Sequence, residues 1–186
     1  MYRYIRSSTQ EYPDTFKVGD KITVNLISYG AKTATCVQVL GRRNTQYMFV
    51  FDGCVGKSNM NNIDIFLDKL YNKFPKDLAN RLQLIRLLQA SEVFSSCDTV
   101  SAWDWLLSCG VDIENVQIDY FKSEAHRIPD TLPKGPYIDS WLLSTELPSL
   151  SEKHSIPCFA GVNESGYSVY ILADKFQGVR PAFILS

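Results

Sequence analysis

Few residues in this chain stand at spacings that could do chemistry, and each such group lacks a partner. His154 and Cys158 lie four residues apart across Pro157, which suggests a thiol nucleophile beside a base. No third group is evident to orient the imidazole, and the segment does not read as helical, so catalysis by this pair is disfavoured. The run Gly53-Cys54-Val55-Gly56-Lys57-Ser58 ends in Gly-Lys-Ser, as phosphate-binding loops do, and follows a strand-like segment. It lacks the earlier glycine at the required distance, so nucleotide binding is disfavoured as well.

His126 and His154 are the only histidines, neither in a metal-ligand spacing such as H-x-x-x-H, and both read as surface or hydrogen-bonded loop residues. Five cysteines, Cys36, Cys54, Cys97, Cys109 and Cys158, are scattered without a C-x-x-C pair. They read as free thiols of a reducing compartment, the cytoplasm, serving mostly as small buried hydrophobes. No catalytic residue, metal or cofactor is expected.

The elements that would position a partner-binding surface follow from the apolar pattern. In Lys21–Ile27, residues Ile22, Val24 and Leu26 alternate with polar neighbours, as in a strand with one buried face. Turns at 29–32 and 41–45 lead into two further strands, Thr33–Leu40 and Gln46–Asp52, which makes residues 16–52 an antiparallel meander behind a polar leader, 1–15. The stretch Gly41-Arg42-Arg43-Asn44 reads as a solvated hairpin end rather than a phosphate clamp. Asn62 and Asp64 offer capping oxygens ahead of Phe66, Leu67, Leu70, Tyr71 and Phe74, whose spacing predicts a helix ended by Pro75. A short second helix follows, with Leu78, Leu82 and Ile85 on one side, before a strand-like run at 84–88. A third helix is expected over Ser101–Cys109, with Val100, Trp103, Leu106 and Leu107 as its stripe and Gly110 as its terminator. Trp103 and Trp105 cannot share one helix face, which predicts that one of them is exposed or at a domain edge.

Residues 112–136 break into short apolar runs punctuated by prolines, an irregular connection. The region 137–186 returns to strands at Tyr137–Ser144, Cys158–Val162, Tyr167–Ile171 and Val179–Leu185, with Asn163-Glu164-Ser165-Gly166 as a hairpin turn. No linker composition divides the chain, so one α+β domain over 1–186 is expected, its antiparallel strands framing two or three helices.

The ending Gly178-Val179-Arg180-Pro181-Ala182-Phe183, preceded by Trp141-Leu142-Leu143-Ser144-Thr145 and the Asn163–Gly166 hairpin, resembles a domain-of-unknown-function family of gut bacteria and their phages. Val18-Gly19-Asp20 and Met60-Asn61-Asn62 look like the same family's opening. That ending is similar to C-type-lectin-like and formylglycine-generating-enzyme folds, and the resemblance implies a lectin-like scaffold. The family usually carries arginine after Trp-Leu, where this chain has Leu143. The closely spaced reactive cysteines of the formylglycine-generating branch are missing, and so are the Glu-Pro-Asn and Gln-Pro-Asp loops of calcium-dependent sugar binding. Arg180 reads as a buried fork satisfying carboxylates or loop carbonyls, and Trp141 as a core anchor.

Composition bounds the partner. Nineteen Lys and Arg against 20 Asp and Glu leave no field to recruit nucleic acid or an anionic membrane, and no stretch approaches the ~20 apolar residues of a membrane span. The expected function is a non-catalytic binding module presenting two loops, 145–157 and 163–177, to a protein or glycan. The contact residues would be Glu146, Glu152 and His154 in the first loop and Tyr167, Tyr170 and Phe176 in the second. The bland alternative is that these aromatics pack inside and the charges merely face solvent. A phage or mobile-element accessory protein that inhibits a host defence factor, and a degenerate formylglycine-generating-type enzyme, are the other readings.

Overall fold

Alternation in Lys21–Leu26 buries Ile22, Val24 and Leu26 and exposes the residues between them, so this strand, β1, lies at the margin of a sheet with one wet face. The computed structural model describes residues 12–41, 45–96, 102–111, 114 and 116–186. The expected hairpin tip at Arg42, Arg43 and Asn44, the helix-start residues Val100 and Ser101, Cys97 and residues 1–11 of the leader lie outside the described residues.

β1 pairs antiparallel with β2 (Gly30–Leu40), from Lys21 opposite Thr35 to Leu26 opposite Gly30, and β2 pairs with β3 (Gln46–Phe51) across a bulge at Cys36/Gln38. The meander therefore forms as expected, with β2 starting three residues early. β3 is buried from Tyr47 to Phe51 because both of its faces are covered. Tyr47, Phe49 and Phe51 join Phe16, Phe74 and Phe183 in one core, where Phe49 and Phe183 stack at 5.4 Å. Met48 and Val50 face the other way, into a larger core with Phe94, Leu106, Phe121, Trp141 and Leu143.

After β3 the chain runs through β4 (Gly56–Ser58), a 3-10 turn at Met60–Asn62, α1 (Ile63–Tyr71), α2 (Lys76–Ala79), β5 (Leu82–Arg86), α3 (Ala90–Val93) and α4 (Ala102–Ser108). The Gly-Lys-Ser run is thus strand β4, paired with β9 (Gln177–Val179), rather than a loop. Asn62 stands at the start of α1 but its side chain makes no cap; Asn59 instead accepts from the Asn62 backbone N–H at 3.1 Å. The second helix is only four residues long, because Leu82 already belongs to β5. On α4, Leu106 is buried and Leu107 exposed, while Trp103 and Trp105 are both half-buried.

Beyond two 3-10 turns at Asp119–Lys122 and Glu124–His126 come β6 (Ser140–Glu146), α5 (Pro148–His154), β7 (Cys158–Asn163), β8 (Ser168–Leu172), β9 and β10 (Ala182–Leu185). The fold is a mixed α+β arrangement of two five-stranded, mainly antiparallel sheets, ordered β1-β2-β3-β10-β5 and β4-β9-β6-β7-β8. Five short α-helices occur among the described residues, more than the two or three expected. The C-terminal region is not strands alone, since α5 interrupts it. Tyr137 is not in a strand: β6 begins at Ser140 and runs on to Glu146.

The apolar run Val179–Leu185, read as one strand, is two. β9 lies in the second sheet, antiparallel to β4 and parallel to β6 at Trp141/Gly178, whereas β10 lies between β3 and β5 in the first. Arg180 and Pro181 make the crossing. Proline has no N–H to leave unpaired as the chain changes partners.

Cys36, Cys54, Cys109 and Cys158 are free and buried. Burial pushes the Cys36 thiol up to about 11 and the Cys54 thiol up to about 12, from an ordinary 9.0. The folded state thus keeps protons that the unfolded chain releases above pH 9, so stability is full below that pH and falls as pH rises toward the folded-state values. For Cys54 the slope is about 1.4 kcal/mol per pH unit. Urea titrations between about pH 8 and about pH 11 are expected to show this decline, flattened in Cys54→Ala. An equal decline in the variant would remove Cys54 as its source.

Candidate functional site

The segment 145–157 is a strand end and a helix rather than an open loop. Pro148 occupies the first turn of α5, where its missing N–H is one the helix would leave unpaired anyway, and Ser155 closes the other end in the left-handed region at φ 56. Lys153 and His154 fall in the last turn, where positive charge meets the negative end of the helix dipole. The imidazole of His154 stacks on Tyr170 of β8, with ring centres 5.4 Å apart and planes 21° from parallel.

Glu146, at the end of β6, accepts from Ser151 Oγ at 3.2 Å, and the same hydroxyl accepts from the Cys158 backbone N–H at 2.9 Å. Glu152 is exposed on α5. The Cys158 thiol donates to the Ile156 carbonyl at 3.4 Å, and burial holds its pKa above the ordinary value. A buried, protonated thiol whose neighbouring histidine stacks on a tyrosine is not an activated nucleophile.

The second predicted loop, 163–177, likewise contains strand β8. Its hairpin is as read: Asn163 Oδ1 accepts from the backbone N–H groups of Ser165 and Tyr167 at 2.9 and 3.0 Å, and Gly166 takes the left-handed angle, φ +83, that the reversal needs. Tyr167, Tyr170 and Phe176 are 44, 48 and 52 % exposed, so these aromatics do not pack inside.

Two adjoining clefts lie on this side of the second sheet. One, of about 600 Å³, is lined by Tyr170, Trp105, Tyr137, Asp139 and Asn163; the other, of about 460 Å³, by Phe176, Tyr137, Ile138 and Asp174; Lys175 and Gln177 border both. Of the six predicted contact residues, only Tyr170 and Phe176 line these clefts. Glu146, Glu152, His154 and Tyr167 sit outside their walls, and His154 reaches the site only through its stack on Tyr170.

The residue missed is Tyr137, which is 93 % exposed between the two clefts and is held at φ 62, a left-handed angle that bulky side chains rarely adopt. The buried Gln177 amide secures that turn. Its Nε2 donates to the Tyr137 carbonyl at 3.0 Å, and its Oε1 accepts from the backbone N–H groups of Asp139 and Ser140 at 3.3 Å each. The local signal was Lys134-Gly135-Pro136 immediately upstream, a turn signature that argues against a strand beginning at 137.

Among the described residues no three His, Cys, Asp or Glu side chains gather closely enough to hold a metal ion, and no helix is long and apolar enough to cross a membrane. Fold and site together define a mixed α+β protein of two five-stranded sheets with a paired, aromatic-lined cleft on the second. No family model, curated protein or solved structure matches the chain.

Proposed function

We propose that this protein is a non-catalytic binding module that presents the paired cleft to a glycan or protein partner. The observation that carries the reading is the set of exposed rings, Tyr137, Tyr170 and Phe176, standing around two connected concavities instead of packing into a core. Such rings supply contact area at low conformational-entropy loss, and the polar groups beside them, Asp139, Asn163 and Lys175, fix orientation by hydrogen bonds. A concave floor of this size suits sugar rings better than the flat patch that a protein interface would favour. The scaffold is read as C-type-lectin-like. The adjacency of the Trp141 strand, the β7–β8 hairpin and the Val179-Arg180-Pro181 segment supports that reading.

The test is a combined Tyr137→Gly, Tyr170→Ala and Phe176→Ala variant, compared with the parent on a glycan array and in protein capture. All three side chains are exposed, and glycine suits the left-handed angle at 137, so the variant is expected to melt close to the parent. Glycan retention is expected to drop about tenfold or more. Retention undiminished in the folded variant removes the cleft as the contact surface. A parent that retains no glycan and captures no protein in a cleft-dependent way sinks the reading altogether.

A further inference from the structure

A third cavity, of about 310 Å³, shares no residue with the paired cleft and lies where the first sheet meets residues 120–130. Its floor is Arg180. That side chain is 1 % exposed, and burial lowers its pKa from the ordinary arginine value. Arg180 Nε donates to the Phe51 carbonyl at 2.7 Å, and Nη1 donates to the carbonyls of His126 and Arg127 at 2.8 and 3.3 Å. Among the described residues the second terminal nitrogen, Nη2, donates to no protein group. Arg180 is one of the residues that line the cavity, so its guanidinium stands at the wall of that space.

A desolvated guanidinium held by neutral carbonyls, with one terminal nitrogen left without a protein acceptor at the wall of a cavity, is half of an anion site. The rest of the lining decides which anion. Asp52 is buried and compensated: one oxygen accepts from Thr35 Oγ1 and the other from Lys21 Nζ at 2.8 Å, a bond that raises the Lys21 pKa. Asp130 is exposed at the rim, and its carboxylate has no hydrogen bond or ion pair among the described residues. Two complementary charges therefore border the same small cavity without pairing within 4 Å. A simple anion such as inorganic phosphate would satisfy Arg180 but be repelled by Asp130. A ligand carrying both charges satisfies both.

We propose that this cavity binds a small zwitterion of the α-amino-acid class, with its carboxylate on Arg180 Nη2 and its ammonium toward Asp130. The volume lies at the low end of ligand pockets, which limits the ligand to this size class. The experiment is calorimetric titration and thermal shift of the full chain with each of the common α-amino acids, and with acetate, methylammonium and inorganic phosphate as single-charge probes. At least one amino acid is expected to bind and raise the melting temperature while the single-charge probes bind at least about tenfold more weakly. Asp130→Asn, a rim substitution that the fold should tolerate, is expected to weaken the amino acid about tenfold and leave acetate unchanged. Binding of phosphate or acetate as tightly as any amino acid, indifference of amino-acid binding to Asp130→Asn, or no amino-acid binding at all would each overturn the proposal. Because Arg180 also holds three carbonyls, Arg180→Lys is informative only where the variant is shown to be folded.

Discussion

Arg180→Met is expected to lower the unfolding free energy by about 3–5 kcal/mol, enough to leave the variant largely unfolded at moderate urea. Methionine preserves much of the volume but none of the donors. The carbonyls of Phe51 and His126 lose their side-chain donor where water cannot easily replace it. The guanidinium also lies over two rings, 5.3 Å from the centre of Trp141 and 5.8 Å from that of Phe121, so its loss removes favourable cation–ring contacts at the same point. Arg180→Lys keeps the charge but cannot serve three diverging acceptors, and should lose most of the same stability. Equilibrium urea unfolding measures both; a loss below about 1 kcal/mol in the methionine variant would mean that the fork contributes little.

Trp141→Ala is expected to cost about 3–5 kcal/mol, the range for deleting a large buried ring whose surroundings cannot fully collapse. Trp141 is fully buried in the larger core, and its Nε1–H donates to the Arg127 carbonyl at 3.0 Å. Trp141→Phe separates the two contributions: it retains most of the packing and removes the donor, for an expected loss of about 1–2 kcal/mol. The Arg127 carbonyl accepts from Arg180 Nη1 as well, at 3.3 Å. The two sites therefore share an acceptor: each single variant leaves the Arg127 carbonyl one of these donors, whereas the Trp141→Phe, Arg180→Met double variant removes both, so its loss should exceed the sum of the single losses. Strict additivity would show that the shared carbonyl is satisfied by other means.

The parts of this fold that were legible in the sequence are those decided by nearest-neighbour physics. Ile22, Val24 and Leu26 alternate because one face of β1 is wet, and Asn163 and Gly166 mark a reversal because their side chains, or the lack of one, permit it. The structural roles of Arg180 and Trp141 followed from residue type, although their shared acceptor, the Arg127 carbonyl, could not be foreseen from residue type. Helix α5 falls where 145–157 is expected to be a loop, because its start signal is a proline, Pro148, at the first helical turn rather than an apolar stripe. The run Val179–Leu185 was read as one strand because a period of two is blind to which sheet supplies the partners. The site was the least legible part. Tyr137 adopts its exposed, left-handed turn through hydrogen bonds from Gln177, forty residues later, and no local pattern encodes that reach.

The switch at Arg180-Pro181 also bears on how the molecule is made. While the polypeptide is still leaving the ribosome, β3 and β5 emerge long before β10, the strand that joins them, so each waits with a side unzipped. On β3 that side offers Met48, Phe49 and Val50, an apolar template for any passing strand. Pairings of such large sequence separation form slowly, which prolongs the exposure. Substitutions between Gln177 and Leu185 should therefore reduce soluble yield in cells more than their equilibrium stabilities alone would suggest, and chaperone supply should recover part of that loss.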